Sequence, residues 1–320
     1  MKNNDYRQQF SSYRVPSTLL GLFYLALTSL AFPHQVAEST SAYLPQASTD
    51  KQVLLTVTVT DKQGNPVPNL PQSTFAVFDQ KIQQDITFFS DRDMPQSVAI
   101  IFDLSRSTAV NSRRIALAKR GLARFVELSH VSNEYLILSF DKQPRIVTDV
   151  TQDTSMVMKA VNDLIPNQNI VGAALYDTCY LAIEKLMKSA QPKRVMILVS
   201  NGQDIESRHE YLELRRFLQQ SGILLYSVGI MNINDAGLSQ FGRAVLDEIS
   251  RLSGGRAYYP VTEADMNESF ERIANELRHQ YLIGFRSTSV AKEGKIHKLQ
   301  VEVKTTDKKQ KVKVRAREGY

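Results

Sequence analysis

The chain has no tryptophan and only one cysteine, Cys179. A single thiol closes no disulfide framework, so stability must come from a packed core, and the 42% hydrophobic content over 320 residues supplies one. Cys179 also stands far from the amino-terminal apolar run, which excludes a lipoprotein-type anchor; its expected place is buried on a helix as a small apolar residue. The five histidines, His34, His130, His209, His279 and His297, are scattered, with His279 at an expected helix end and His297 in an expected strand. There is no Gly-x-Ser-x-Gly elbow, no phosphate-cradling glycine loop and no His-Glu-x-x-His pair. A hydrolase needs a base beside a nucleophile, and these absences make the chain read as non-enzymatic.

Long apolar runs are scarce too. The longest, Thr18 to Phe32, holds 15 uncharged residues, short of the ~20 that span a bilayer. Lys2, Arg7 and Arg14 precede it and Ser29-Leu30-Ala31 offers small residues near its end, which is the pattern of a secretory signal over 1–31. The expectation is an exported protein, periplasmic or extracellular. The alternative keeps residues 16–32 as a membrane anchor, the only way this sequence would meet a membrane.

The formal charge of +6 is unevenly spread, because residues 286–320 alone carry 11 basic and four acidic side chains. There Lys309, Lys311, Lys313, Arg315 and Arg317 alternate with Val312, Val314 and Ala316, a period of two that makes one strand face cationic and the other apolar. The pattern reads as a solvated outer face, or an edge strand kept from aggregating by its lysines. No aromatic residues interleave with the charges, which argues against a nucleic-acid surface.

A polar linker, 32–50, leads into β-rich segments at Val53 to Thr60, Thr74 to Asp79 and Ile82 to Phe89, with a turn signal at Gly64-Asn65-Pro66. Tyr281 to Arg286, Leu299 to Val303 and Val312 to Ala316 are strand-like as well. Three strands cannot bury a core alone, so the expectation is one small antiparallel β-sandwich built from segments 51–92 and 280–320. Between them, 93–279 alternates continuous apolar runs with amphipathic stretches. The runs are Val98 to Phe102, Tyr135 to Phe140, Val195 to Val199 and Ile223 to Gly229; helical sets include Ile115, Leu117, Leu122, Phe125 and Val126. Thr262-Glu263-Ala264-Asp265 opens a last helix, expected to run to about His279, as a capping box variant. This alternation predicts an α/β domain, a doubly wound, mainly parallel sheet inserted in the sandwich.

Ligands of such sheets bind at the carboxyl ends of the strands. The first central strand ends there in Asp103, followed by Ser105, Ser107 and Thr108. Serines and threonines at that place also cap helices, and the loop alone does not separate capping from binding. Asp103-x-Ser105-x-Ser107 in this context resembles the metal-ion-dependent adhesion site of von Willebrand factor type A domains. Gly172-Ala173-Ala174-Leu175-Tyr176-Asp177, Ile197-Leu198-Val199-Ser200-Asn201-Gly202 and Gly254-Gly255-Arg256-Ala257-Tyr258 look like further motifs of that family. With the flanking strands, nearly the whole mature chain resembles exported members from soil bacteria such as acidobacteria.

The resemblance implies a site for Mg²⁺ or Mn²⁺ at Asp103, Ser105 and Ser107, with a coordination position left for a partner's acidic residue. It also exposes two departures. The coordinating threonine of the family corresponds to Ala173 and the coordinating aspartate to Asn201, so the site is partly degenerate; Asp204 is the candidate substitute acid. The leading expectation is a protein-binding module whose sheet rim, at Asp103, Ser105, Ser107 and Asn201, engages a protein partner. The alternative is a metal-independent structural or assembly scaffold with a vestigial site, docking through the sandwich and its basic strand. Neither reading expects nucleic acid or a small-molecule substrate. Asn201-Gly202 is also a deamidation-prone pair, and its reaction would regenerate an acid.

Overall fold

The computed structural model describes residues 52–166, 169–231, 236–289, 295–305 and 311–320. The signal-like segment 1–31, the linker 32–50 and Lys309 lie outside the described residues. Among those described, no helix is long and apolar enough to cross a membrane.

The chain begins with strands β1 (Gln52–Thr60), β2 (Phe75–Asp79), β3 (Ile82–Gln84) and β4 (Ile86–Ser90). It continues through β5 (Gln96–Asp103), α1 (Arg106–Ala109), α2 (Ser112–Leu128), β6 (Glu134–Phe140), β7 (Pro144–Thr151) and α3 (Thr154–Asp163). Then come α4 (Leu175–Met187), β8 (Lys193–Ser200), α5 (Tyr211–Ser221), β9 (Leu224–Gly229), α6 (Ala236–Ser253), β10 (Arg256–Tyr258) and α7 (Glu263–Arg278). Strands β11 (Tyr281–Arg286), β12 (Leu299–Val303) and β13 (Lys313–Arg315) complete it.

Six strands form the central sheet in the order β10-β9-β8-β5-β6-β7. All its pairings are parallel except that of β6 with β7. Every residue of β5 is buried, which is why the strand is apolar without alternation: both faces meet helices. Ile100 and Phe102 pack with Phe125 of α2, Val157 of α3 and Phe270 of α7, whereas Ala99 and Ile101 pack with Ile183 of α4, Leu218 of α5 and Leu246 of α6. Each such aliphatic or aromatic side chain removed from water contributes roughly 1.5–3 kcal/mol, so two layers of this size fix the sheet between its helices. Cys179 is fully buried in the second layer.

Strands from either side of this unit in sequence build two antiparallel sheets, β13-β1-β11-β4 and β12-β2-β3. They share a core of Leu55, Val57, Val77, Ile283 and Phe285. The α/β and sandwich layout thus follows the expectation from the apolar patterning, with local differences. The run Ile82 to Phe89 is two strands, broken at Asp85. Strands β7 and β10 were not expected, because β7 is a largely exposed edge strand with no buried face to enforce a pattern and β10 is three residues long. The α7 start has the expected capping box, Thr262 Oγ1 accepting from Asp265 N over 3.1 Å. His297 precedes β12 instead of lying in a strand, and its Nδ1 sits 3.0 Å from buried Asp79.

The cationic strand needs a correction. β13 is an edge strand, paired with β1 alone, and Lys313 is exposed, but its arginines do not form a solvated face. The Arg315 guanidinium pairs with the buried Glu276 carboxylate of α7, and Arg317 donates to Leu54 O and Gln219 O. The strand alternates as its sequence does, but local periodicity carries no information about what stands opposite a charged face.

Candidate functional site

The loops after β5 and β8 and the segment before α4 converge at the carboxyl end of the parallel sheet. Backbone hydrogen bonds tie this rim together: Leu104 N donates to Phe140 O, Ala174 N to Asp141 O, and both Ile205 N and Glu206 N to Ala173 O. The loop after β8 is also pressed against α6. Gly202 has φ of +79°, and a Cβ placed on it would lie 2.3 Å from the Gly242 carbonyl oxygen. A Cβ on Gly242 would in turn lie 2.0 Å from the Asn201 carbonyl oxygen. Only a glycine pair permits this approach.

Asp103 ends β5 with 1% of its surface exposed. Its Oδ1 accepts from Ser105 N at 2.9 Å and Ser105 Oγ at 2.5 Å, and its Oδ2 accepts from Ser200 Oγ at 2.7 Å. Burial pushes the Asp103 carboxyl above its usual range, and the donors of Ser105 and Ser200 pull against that shift. Thr108 lies near enough to favour the charged form, yet its buried hydroxyl completes no hydrogen bond. Ser105 is the N-cap residue of α1, but its hydroxyl makes no capping bond because it is spent on Asp103.

Ser107 Oγ lies 3.3 Å from Ser105 Oγ and accepts from Asn201 Nδ2 at 2.9 Å. The other end of the Asn201 amide accepts from Gln203 N at 3.0 Å. Ala173 is buried beside them, its side chain offering no oxygen. The structure therefore gathers Asp103, Ser105, Ser107, Ala173 and Asn201 on one rim. Ser200, the second residue to donate a hydroxyl to Asp103, lies within the Ile197–Gly202 motif, but its residue type alone does not tell that its hydroxyl faces Asp103.

Asp204 stands at the start of α4. Its Oδ2 accepts from Tyr176 N at 2.9 Å and Ser207 Oγ at 2.5 Å, and Oδ1 accepts from Ser207 N at 3.3 Å. It thereby satisfies the open start of α4, where free backbone N–H groups attract a carboxylate. Nearby, Asp177 accepts from the backbone N–H groups of Arg208 and His209 and meets His209 Nδ1 at 2.7 Å, while the His209 ring stacks on Tyr180. These contacts pin the 201–210 loop to α4.

Beside Ser105 and Ser107 the rim opens into a cleft of about 280 Å³. Its walls include Val110, Val171 and Ile205, which are 59%, 53% and 67% exposed. Three aliphatic side chains held in water at one site are the feature of this rim that no motif announces.

A family model, von Willebrand factor type A domain, matches residues 97–280. No protein of curated function matches the sequence. Among solved structures, one similar chain is an aerotolerance-related membrane protein from Bacteroides fragilis, with 18% identity, 57% of this chain and 98% of that chain covered, and a TM-score of 0.46. A von Willebrand factor type A protein from Catenulispora acidiphila has 13% identity, covers 84% of this chain and 72% of its own, and gives a TM-score of 0.49. The vWF domain of the type V pili tip protein Mfa5 from Porphyromonas gingivalis has 15% identity, with 57% and 94% covered and a TM-score of 0.46.

Proposed function

This chain belongs to the von Willebrand factor type A domain family, and from that footing we propose a non-enzymatic protein-binding module of an exported protein, working through its sheet rim without a resident metal. Domains of this family commonly mediate protein–protein interaction and often hold Mg²⁺ or Mn²⁺ at the loop that corresponds to Asp103, Ser105 and Ser107.

The observation that carries the reading is the apolar cleft of Val110, Val171 and Ile205 next to that loop. Exposed aliphatic side chains clustered in a concave site cost solvation in the free protein and are covered when a partner docks. The donor set supports the metal-free form. A hard dication is held by several anionic or neutral oxygens. Here the one carboxylate already accepts three hydrogen bonds, Ala173 supplies no oxygen, and Asn201 directs an N–H at Ser107. These residues do not fit Mg²⁺ or Mn²⁺. The scaffold alternative, docking through the basic strand, is weakened because Arg315 and Arg317 are spent on internal contacts.

A photo-crosslinking residue placed at Ile205 tests this in the full chain expressed in its host, with Val131 as the control. Val131 is 90% exposed and precedes β6, at the opposite end of the sheet. The expected result is a protein adduct from position 205, absent from 131 and unchanged by EDTA. Equal labelling at both positions would overturn the rim assignment, and loss of the adduct in EDTA would restore the metal-assisted form.

A further inference from the structure

A second and larger cleft, of about 460 Å³, opens between the turn after β1, the end of α6, β10 and β13. Its lining carries five cationic side chains, Lys62, Arg251, Arg256, Lys313 and Arg315, and one carboxylate, Asp247. Asp247 is engaged by the Tyr259 hydroxyl at 2.8 Å. Glu276 and Glu318, outside the lining, pair with Arg315 and Arg251. Among the described residues no carboxylate pairs with Lys62, Arg256 or Lys313, and the Arg256 guanidinium lies over the Tyr258 ring, 5.3 Å from its centre.

A solvated basic strand accounts for Lys313 alone. Lys62 and Arg256 come from segments distant in sequence, and the fold brings them to it: Lys313 pairs with Thr60 in the sheet register, and the last turn of α6, before β10, lies against the chain that follows β13, where Glu318 N donates to Leu252 O. Like charges gathered in a concavity repel one another and focus a positive potential there, which an anion relieves. Guanidinium and ammonium groups together match the oxygens of a phosphate or sulfate group, the first by its planar fork and the second as a point charge. The volume is in the range of small-ligand clefts, roughly 300–1,000 Å³, and so exceeds what a bare oxyanion fills.

We propose that this cleft binds a compact, multiply charged oxyanion, a phosphate or sulfate group borne on a small molecule. The site is separate from the rim and independent of the function proposed for it. It uses Lys313, the cation of β13 that internal contacts leave exposed, and it holds a ligand.

The test is thermal-shift and calorimetric titration of the full chain at pH 8 with inorganic phosphate and, separately, sulfate, at constant ionic strength. Lys62→Gln/Lys313→Gln and Arg256→Ser are compared with Lys188→Gln, which removes a distant surface cation. Expected is saturable binding that weakens tenfold or more in the cleft variants and stays within twofold in Lys188→Gln. Tighter binding of inorganic phosphate than of sulfate, a dianion of matched shape, assigns a phosphate group, and the reverse order a sulfate group. No saturable binding of either anion or of inorganic pyrophosphate, which fills more of the cleft, or equal weakening by Lys188→Gln, overturns the proposal. The side chains of Lys62, Arg256 and Lys313 are exposed, so the unliganded melting temperature reports directly that each variant is folded.

Discussion

The Asn201 side-chain amide donates to the Ser107 hydroxyl over 2.9 Å, joining the loop after β8 to the start of α1. A neutral donor thus satisfies the Ser107 oxygen from within the protein.

If the rim works without a metal, as proposed, adding a hydroxyl and a carboxylate there should create metal dependence. Ala173→Thr combined with Asn201→Asp returns one hydroxyl and one carboxylate to the rim. The double variant is expected to gain melting temperature with added Mg²⁺ or Mn²⁺, because a ligand that binds only the folded state stabilises it by mass action. The natural sequence should show the same melting temperature in millimolar Mg²⁺ and in EDTA. A shift in the unmodified protein would reverse the metal-free assignment.

Asn201 should survive ageing despite its glycine neighbour. Deamidation needs the Gly202 nitrogen to attack the Asn201 side chain, and that N–H is held by Ser200 Oγ at 2.9 Å while both ends of the amide are bonded. Peptide mapping after prolonged incubation at neutral pH should find Asn201 intact in the folded protein and converted in the urea-unfolded one. Equal conversion in both would show that these bonds do not protect it.

The Glu276–Arg315 pair fastens β13 to α7. Glu276 is 2% exposed and also accepts from the Tyr226 hydroxyl at 3.1 Å, so removing it strands a cation and a phenol. Glu276→Ala is expected to cost about 3–5 kcal/mol in urea unfolding, as for other broken buried pairs. Replacing both partners, Glu276→Met with Arg315→Met, should recover most of that loss, since no uncompensated charge remains.

Lys193 sets a pH dependence. Its ammonium is fully buried at the start of β8 and donates to Leu277 O over 2.6 Å; burial pushes it down to about 7, against the opposing pull of Asp93. A base whose folded pKa lies below its unfolded value of 10.5 gives up its proton on folding. Stability then rises with pH across that window. Between pH 7 and about pH 9 the gain should reach about 2 kcal/mol, and Lys193→Met should flatten the profile. A natural protein with a flat profile would show that the amine is charged when folded.

The sheet strands were legible because burial on both faces demands continuous apolar runs, as at Val98 to Phe102 and Val195 to Val199. The loop Asp103-Ser105-Ser107 was legible because its polar residues follow such a run directly. Strand β7 was not, since its largely exposed residues impose no pattern, and neither was the task of Asp204, whose oxygens meet a helix start that folds from a separate segment.

The sequence by itself determined the family and the α/β layout, because each is written in residue type and short-range spacing. Only the tertiary structure decided what those residues face. Ser107 meets an amide, Arg315 meets a buried carboxylate, Val110, Val171 and Ile205 close on one cleft, and Lys62, Arg256 and Lys313 close on another. Each of these contacts joins segments far apart in the chain, and their energies depend on distance in space and on desolvation, neither of which local periodicity records.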